Sequence, residues 1–336
     1  MKRRVSLLVL SVLIVILVYS LIGCNKIIEC DENSFYLSYK DNFKIMQLAD
    51  IQVPSVEACN EAFKEIDKMV YGEKPDLIVL TGDNIDWYAD KGTFEALVRH
   101  MDKYSVNWAP VFGNHDDEQE PSFGVTKQYM AEVFNTSEYC LFNVGPQDIN
   151  GVGNYVINLT NERQTKIEFS LIFMDSNTYR TYDLEDGSDS IDGWDYIYPN
   201  QIAWYEQTIN NITKQNHNKS VKSLTFFHIP LMEFETAKEL QLNNGNLGWG
   251  ELREEMGAPM ENTGLFDKMK ELNSCVGVIC GHAHINNCDL LYEGIHLICG
   301  LKSSRYSYYN EDMLGCTVYT LNDGEFVAKN IGFVSD

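Results

Sequence analysis

The sequence predicts an α/β fold with a layered core, and three observations carry that prediction. Apolar runs of strand length alternate with segments of helical spacing from residue 43 to residue 112. That strand-helix-strand-helix-strand rhythm calls for crossover connections between parallel strands. Five of the strand-length runs also stop at a short cluster of Asp, Asn or His, where open α/β sheets carry their chemistry.

Residues 43–49 read as the first strand, with Asp50-Ile51-Gln52 at its end. Residues 55–71 place Val56, Cys59, Phe63, Ile66 and Val70 at helical spacing, and Gly72 and Pro75 close that helix. A second apolar strand, 76–80, ends in Thr81-Gly82-Asp83-Asn84-Ile85-Asp86. Residues 93–104 are again helical. The run 106–112 is a strand that stops at Gly113 and presents Asn114, His115 and Asp116. An amide oxygen is a neutral metal ligand, and an adjacent imidazole can donate a proton. Gly-Asn is also an ordinary turn dipeptide, so this cluster gains weight only from the others.

Beyond Pro121, two β-rich runs, 154–159 and 166–174, flank a polar turn. Residues 180–195, acidic and glycine-containing, read as a long surface loop. A helix is expected over 200–215, with Pro199 at its mouth and Ile202, Tyr205, Ile209 and Ile212 on one face. The strand 221–227 ends at His228. A glycine-rich loop, 243–257, precedes a helix over 262–272, and the strand 275–280 ends in Gly281-His282-Ala283-His284. Residues 295–334 read as strand and turn. No repeat or linker interrupts the chain, so 35–336 is expected to form one domain.

Composition narrows the function. The formal net charge is -23, from 49 acidic and 26 basic residues. Such a field repels nucleic-acid backbones, so a nucleic-acid partner is not expected. An anionic substrate would need local positive charge, which bound metal ions supply. At the N-terminus, Lys2, Arg3 and Arg4 precede an uncharged apolar stretch, 5–22, that ends at Gly23 and Cys24. That is the pattern of an export signal over 1–23, although the stretch is also long enough for a retained membrane anchor. Leu21-Ile22-Gly23-Cys24 resembles the bacterial lipobox, which makes lipidation at Cys24 one expectation and plain cleavage the other. Either way, the rest of the chain is expected to be extracytoplasmic, secreted or held to a membrane by its N-terminus. No two cysteines form a CxxC pair, which argues against a thiolate zinc site, and Cys280 and Cys299 read as packing residues.

Taken together, Asp50, Asp83, Asn114, His228, His282 and His284 form a mixed oxygen and nitrogen set at five strand ends. Such a set suits Zn, Mn or Fe better than calcium. His282 and His284, two residues apart, point the same way in an extended segment.

In this order the motifs resemble the signature of the calcineurin-like metallophosphoesterases. Trp194-Asp195, Pro199-Asn200-Gln201, Trp204, Phe227-His228-Ile229-Pro230 and Asn262-Thr263-Gly264 look like its purple-acid-phosphatase-like branch. The resemblance runs from residue 43 to the C-terminus. It implies a four-layer αββα sandwich of two mixed β-sheets flanked by helices. It also implies two divalent or trivalent metal ions (Mn, Fe or Zn) and a phosphorylated small molecule or other phosphoester as substrate. Carried over by position, it makes Asp83 a bridge between the ions, with Asp50 and His284 on one and Asn114, His228 and His282 on the other. His115 would face the substrate and protonate the leaving oxygen or stabilise the transition state, with Asp116 to orient it. Two cations held close together clamp phosphoryl oxygens and activate a bridging water, so no side-chain nucleophile is needed. No GxSxG element competes.

One position departs from the pattern. The first motif normally reads Asp-x-His, and Gln52 stands in place of the histidine. Gln52 is therefore expected to be a weak ligand and the first ion loosely held, or a different element. The same departure admits a degenerate member that binds metal or phosphate without turnover. Asp86 reads as an ordinary loop carboxylate. Lys302, Arg305, Tyr306 and Tyr308 lie where the branch carries a basic stretch near its site. Of these, Arg305 is the candidate for a bidentate contact to phosphate, beside Asn114 and His115, and surface charge is the alternative.

Overall fold

The computed structural model describes residues 27–28, 34–183 and 190–333. The stretch 1–23, with its export, anchor and lipidation readings, lies outside them. Among the described residues no helix is long and apolar enough to cross a membrane.

The chain opens with β1 (Ser34–Ser38), β2 (Phe43–Leu48), α1 (Val56–Glu73), β3 (Leu77–Thr81), α2 (Lys91–Asp102), β4 (Trp108–Val111) and α3 (Lys127–Phe134). Next come β5 (Tyr155–Thr160), β6 (Ile167–Phe173), β7 (Tyr179–Asp183), β8 (Ser190–Trp194), α4 (Pro199–Gln215), β9 (Lys222–Phe226) and α5 (Met232–Asn244). It finishes with β10 (Gly248–Leu252), α6 (Leu265–Leu272), β11 (Cys275–Cys280), β12 (Asn286–Tyr292), β13 (Ile295–Cys299), β14 (Gly315–Asn322) and β15 (Glu325–Gly332).

Two mixed sheets result. The five-stranded sheet runs β15-β14-β2-β3-β4, with β2, β3 and β4 parallel. The eight-stranded sheet runs β1-β5-β6-β9-β11-β13-β12-β10, with β6, β9, β11 and β13 parallel. Period-two alternation lets the larger sheet contribute to two cores, one on each face. Phe169, Leu171, Phe173, Leu224 and Phe226 join one core with the smaller sheet and the apolar faces of α1, α2 and α3. Ile172, Val278, Cys280, Leu297 and Cys299 join the other, with Tyr205, Ile209 and Ile212 of α4, Phe234 of α5 and Phe266 of α6. The layers are helix, sheet, sheet, helix, as the motifs implied.

Capping explains where the helices begin. Ser55 caps α1, its Oγ accepting from Ala58 N at 3.2 Å, and Asp90 caps α2, accepting from Thr93 N at 2.9 Å. Three local readings are corrected. The loop expected over 180–195 is the β7–β8 hairpin, of which residues 184–189 are not described. The loop expected over 243–257 contains β10, an edge strand paired with β12. The helix expected from residue 262 starts at Leu265, because Gly264 enters it with φ at 90°. Helices α3 and α5 were not expected from the sequence, and α5 buries only Phe234 and Ala237.

Candidate metal centre

The residues just past the carboxyl ends of β2, β3, β4, β9 and β11 meet in one place. Asp50, Asp83 and His282 take φ values of 54°, 50° and 75° there. Non-glycine residues in this left-handed region are strained and cluster at functional sites. Glycines let the strand ends close up: a Cβ on Gly113 would lie 2.2 Å from Asp83 Oδ1, and one on Gly82 would lie 2.6 Å from His228 Nδ1. Both positions require glycine.

Asp83 is the hub. Its Oδ1 accepts from His115 N at 2.8 Å, and its Oδ2 lies 3.3 Å from His228 Nε2. The Asp50 carboxylate accepts from His282 N at 3.1 Å, and His284 Nε2 lies 3.4 Å from Asp50 Oδ1. His228 Nδ1 lies 2.8 Å from Thr81 O, and His284 Nδ1 lies 3.0 Å from Tyr308 O. A carbonyl can only accept, so both rings hold a proton on Nδ1 and turn Nε2 inward, the arrangement that presents imidazole to a metal. Asn114 places Oδ1 3.2 Å from His228 Nε2. Two donor groups emerge, Asp83 with His228 and His282, and Asp50 with Asp83 and His284. Within each, the donor atoms lie within 4.8 Å of one another.

The donor chemistry fits a cation. His228 Nε2 has Asn114 Oδ1, Asp83 Oδ2 and His282 Nδ1 as neighbours at 3.2 to 3.3 Å. With the His228 proton on Nδ1, lone pairs face lone pairs in a buried space, and an added positive charge is what relieves them. Burial opposes the charged forms of Asp83 and Asp50. Even so, both stay below the usual carboxylate range, Asp83 because of His228, His115 and His282, and Asp50 because of His284 and His228. Burial lowers His228 but Asp83 outweighs it and raises the ring to about 9, whereas burial and the His228 charge push His282 down to about 3. Positive charge is thus favoured at His228 Nε2, where a metal ion would sit.

The 3₁₀ turn His115–Asp117 carries the His115 ring to the edge of a cleft of ≈ 410 Å³. Asp83, Asn114, His115, Trp194, Glu254, Glu255, Met256, Gly257, His282, Ala283, His284 and Tyr308 line that cleft. His115 Nε2 lies 3.9 Å from Asp83 Oδ2, and Nδ1 is hydrogen-bonded to Glu118 Oε2. Burial lowers His115, but Glu118 and then Asp83 raise it to about 9.

Three expected roles need correction. Asp116 does not orient His115. Its buried carboxylate accepts from Asn84 N, Ile85 N and Gly113 N, tying the β3 and β4 loops together, and burial and Asp83 push it up to about 7. The partner of His115 Nδ1 is Glu118. Arg305 lies outside the cleft lining. Its exposed guanidinium forms a two-pronged pair with Glu311 and stacks over Phe333. Gln52 is buried beside Asp83 but presents its amide nitrogen, 3.4 Å from Asp83 Oδ2, while its oxygen accepts from Lys302 Nζ. Asp86 is a loop carboxylate, accepting from Tyr88 N.

Glu118 could have been found in the sequence, since i,i+3 spacing within a helical turn puts it beside His115. Tyr179 could not. Its hydroxyl reaches Glu118 and Asn114 from the hairpin that read as loop.

The model of the calcineurin-like phosphoesterase family matches residues 43–286. The chain belongs to that family. Among curated relatives, it is 26% identical over 303 residues to "Probable inactive purple acid phosphatase 29" of Arabidopsis thaliana, covering 81% of this chain and 74% of the relative. It is 29% identical over 296 residues to "Phosphatase DCR2" of Saccharomyces cerevisiae, covering 79% of this chain but 46% of the yeast protein. A solved dimetal phosphatase from Danio rerio shares the fold, with a TM-score of 0.55 and 13% identity over 88% of this chain and 98% of that one. Family membership and the two Asp/His groups together support phosphoester hydrolysis at a two-ion centre.

Proposed function

We propose that this calcineurin-like chain is a metal-dependent phosphoric ester hydrolase, extracytoplasmic and held to a membrane through Cys24 or its N-terminal apolar stretch. One observation carries the catalytic reading: two donor groups share Asp83, and His115 stands 3.9 Å from that shared carboxylate with Glu118 behind it. When bound, two ions supply Lewis acidity toward the phosphoryl oxygens and a water of lowered pKa. Asp50 and His284 would hold one ion, Asn114, His228 and His282 the other, and Asp83 both. Asn114 is kept in position because Tyr179 and Glu118 take its amide hydrogens. His115 holds a proton at Nε2, facing the cleft, and delivers it to the leaving oxygen as the P–O bond breaks. Glu118 stabilises the imidazolium until then.

Localisation rests on sequence alone: the basic head, the apolar stretch and the Leu-Ile-Gly-Cys tetrapeptide. Radiolabelled fatty acid should enter the wild type and not Cys24→Ser. Chain found only in the cytoplasm would remove that half of the proposal.

The catalytic half is tested by metal analysis of purified protein, paired with turnover of a chromogenic phosphomonoester and a phosphodiester. Asp83→Ala should lose both metal and activity, because both ions lose a ligand at once. Full metal content with near-normal turnover in that variant would refute the assignment. A second reading, metal or phosphate binding without turnover, is favoured by the placement of Gln52, whose oxygen is withheld from the site. Metal retention with no hydrolysis of either ester would select it.

A further inference from the structure

The two amides of the centre face opposite ways. Asn114 gives its Nδ2 hydrogens to Tyr179 OH at 3.1 Å and to Glu118 at 3.4 Å, so its oxygen turns toward His228. Gln52 is reversed. Lys302 Nζ donates to Gln52 Oε1 at 2.6 Å, which leaves the amide nitrogen facing Asp83. A lysine can only donate when charged, so Lys302 dictates which end of the amide points inward. An amide NH₂ has no lone pair to give a metal. The same Nζ donates to Asp50 O at 2.7 Å.

Lys302 belongs to the rigid frame. It is 1% exposed, its backbone bridges to Ala49 and Leu314, and Ser303 N donates to Ala49 O at 2.8 Å. Its ammonium donates to two neutral oxygens, in contrast to Lys127, the other buried lysine among the described residues, which pairs with Asp175. The ammonium therefore sits directly behind Asp50 and Gln52, on the side where the family motif would place an imidazole.

We propose that Lys302 makes the two metal positions unequal by holding Gln52 out of the ligand set and placing a cation behind the Asp50–His284 position. One ion is then held firmly by Asp83, Asn114, His228 and His282. The other, on Asp50, Asp83 and His284, lacks a fourth protein ligand, feels like-charge repulsion, and exchanges with the medium. Lys302 acts here through other groups and is a positioning residue. The inference rests on the metal-dependent reading above and adds a stoichiometry to it. It also changes what Gln52→His alone can do, because Lys302 would donate to the new ring nitrogen as it now does to the amide oxygen.

The test is metal titration of the full chain with Mn(II), read by calorimetry and by electron paramagnetic resonance. Wild type should keep about one ion per chain after gel filtration. It should show an uncoupled Mn(II) signal at one equivalent, and bind a second ion at least about tenfold more weakly. Lys302→Met should tighten the second ion by about tenfold, and Gln52→His with Lys302→Met should tighten it further than Gln52→His alone. Gln52→Ala, which leaves the lysine in place, should not weaken the second ion. Two ions of equal affinity in wild type would overturn the proposal. So would a tenfold loss of the second ion in Gln52→Ala, or a folded Lys302→Met protein with unchanged second-ion affinity. A wild type that binds no ion at all would remove the metal-dependent reading as well, whereas two equal ions would remove only the inequality.

Discussion

Replacing Glu118 by Gln isolates the proton-donor role of His115. The exchange keeps shape but removes the charge beside His115 Nδ1. The two side chains are 29% and 23% exposed, so solvent screens their pairing only partly. A hydrogen bond to a charged group contributes about 1.5–3 kcal/mol. If that stabilisation is realised in full at the transition state, with about 1.36 kcal/mol per decade, kcat falls about ten- to a hundredfold. Metal content should hold, since Glu118 belongs to neither donor group, Tyr179 still accepts from Asn114 Nδ2, and the Gln oxygen can accept as the carboxylate did. The pH profile supplies the sign. Against the pull of burial, Glu118 and Asp83 raise His115 to about 9, so removing the carboxylate lowers it. A proton donor works below its pKa, and the alkaline limb of kcat therefore moves to lower pH. Ions bound at Asp83 lower His115 in wild type and variant alike, so the direction of the shift stands. The assay is kcat and KM against pH with metal saturating. A wild-type rate with an unmoved alkaline limb would refute the argument, as would a shift toward higher pH.

Three further outcomes follow from the same geometry. His115→Ala should retain its metal and lose about two to four orders of magnitude in rate, and metal loss in that variant would make His115 a ligand. Gly113→Ala puts a methyl group 2.2 Å from Asp83 Oδ1 and 2.3 Å from Asp83 N, and should cost about 1–3 kcal/mol in denaturant unfolding together with metal affinity. Unchanged stability and metal binding would show that the β3 and β4 loops are not in that contact. In metal-free protein, His228 and His115, both raised to about 9, contribute stability that is fully present below about pH 6.5 and declines as pH rises through their folded values. The melting temperature should therefore fall from about pH 6.5 to about 8; above that, Lys302, lowered to about 8 chiefly by burial, acts in the opposite sense. Metal-loaded protein, with His228 bound through Nε2, should show a smaller decline, and equal slopes in the two forms would contradict the histidine assignment.

Much of this protein was legible in its sequence because the informative signals are local. Apolar runs that stop at Asp50, Asp83, Asn114, His228 and His282 mark strand ends, and parallel strands put their carboxyl ends at one edge. The helices with strong apolar stripes, α1, α2 and α4, were readable for the same reason. Helix α3 and the weakly striped α5 were not, nor were the β7–β8 hairpin and the edge strand β10, whose residues are largely exposed and so leave no apolar pattern.

Sequence by itself determined which residue types crowd the centre, since composition and spacing do not depend on long-range packing. Only the tertiary structure decided how each one is turned. Glu118 rather than Asp116 pairs with His115, because the Asp116 carboxylate is taken up by backbone amides of the β3 and β4 loops. Arg305 is drawn to Glu311 and away from the cleft. Gln52 faces the centre nitrogen-first because Lys302, 250 residues away in sequence, holds its oxygen. The orientation of a symmetric-looking amide depends on whether a donor or an acceptor meets it. That neighbour arrives through the fold.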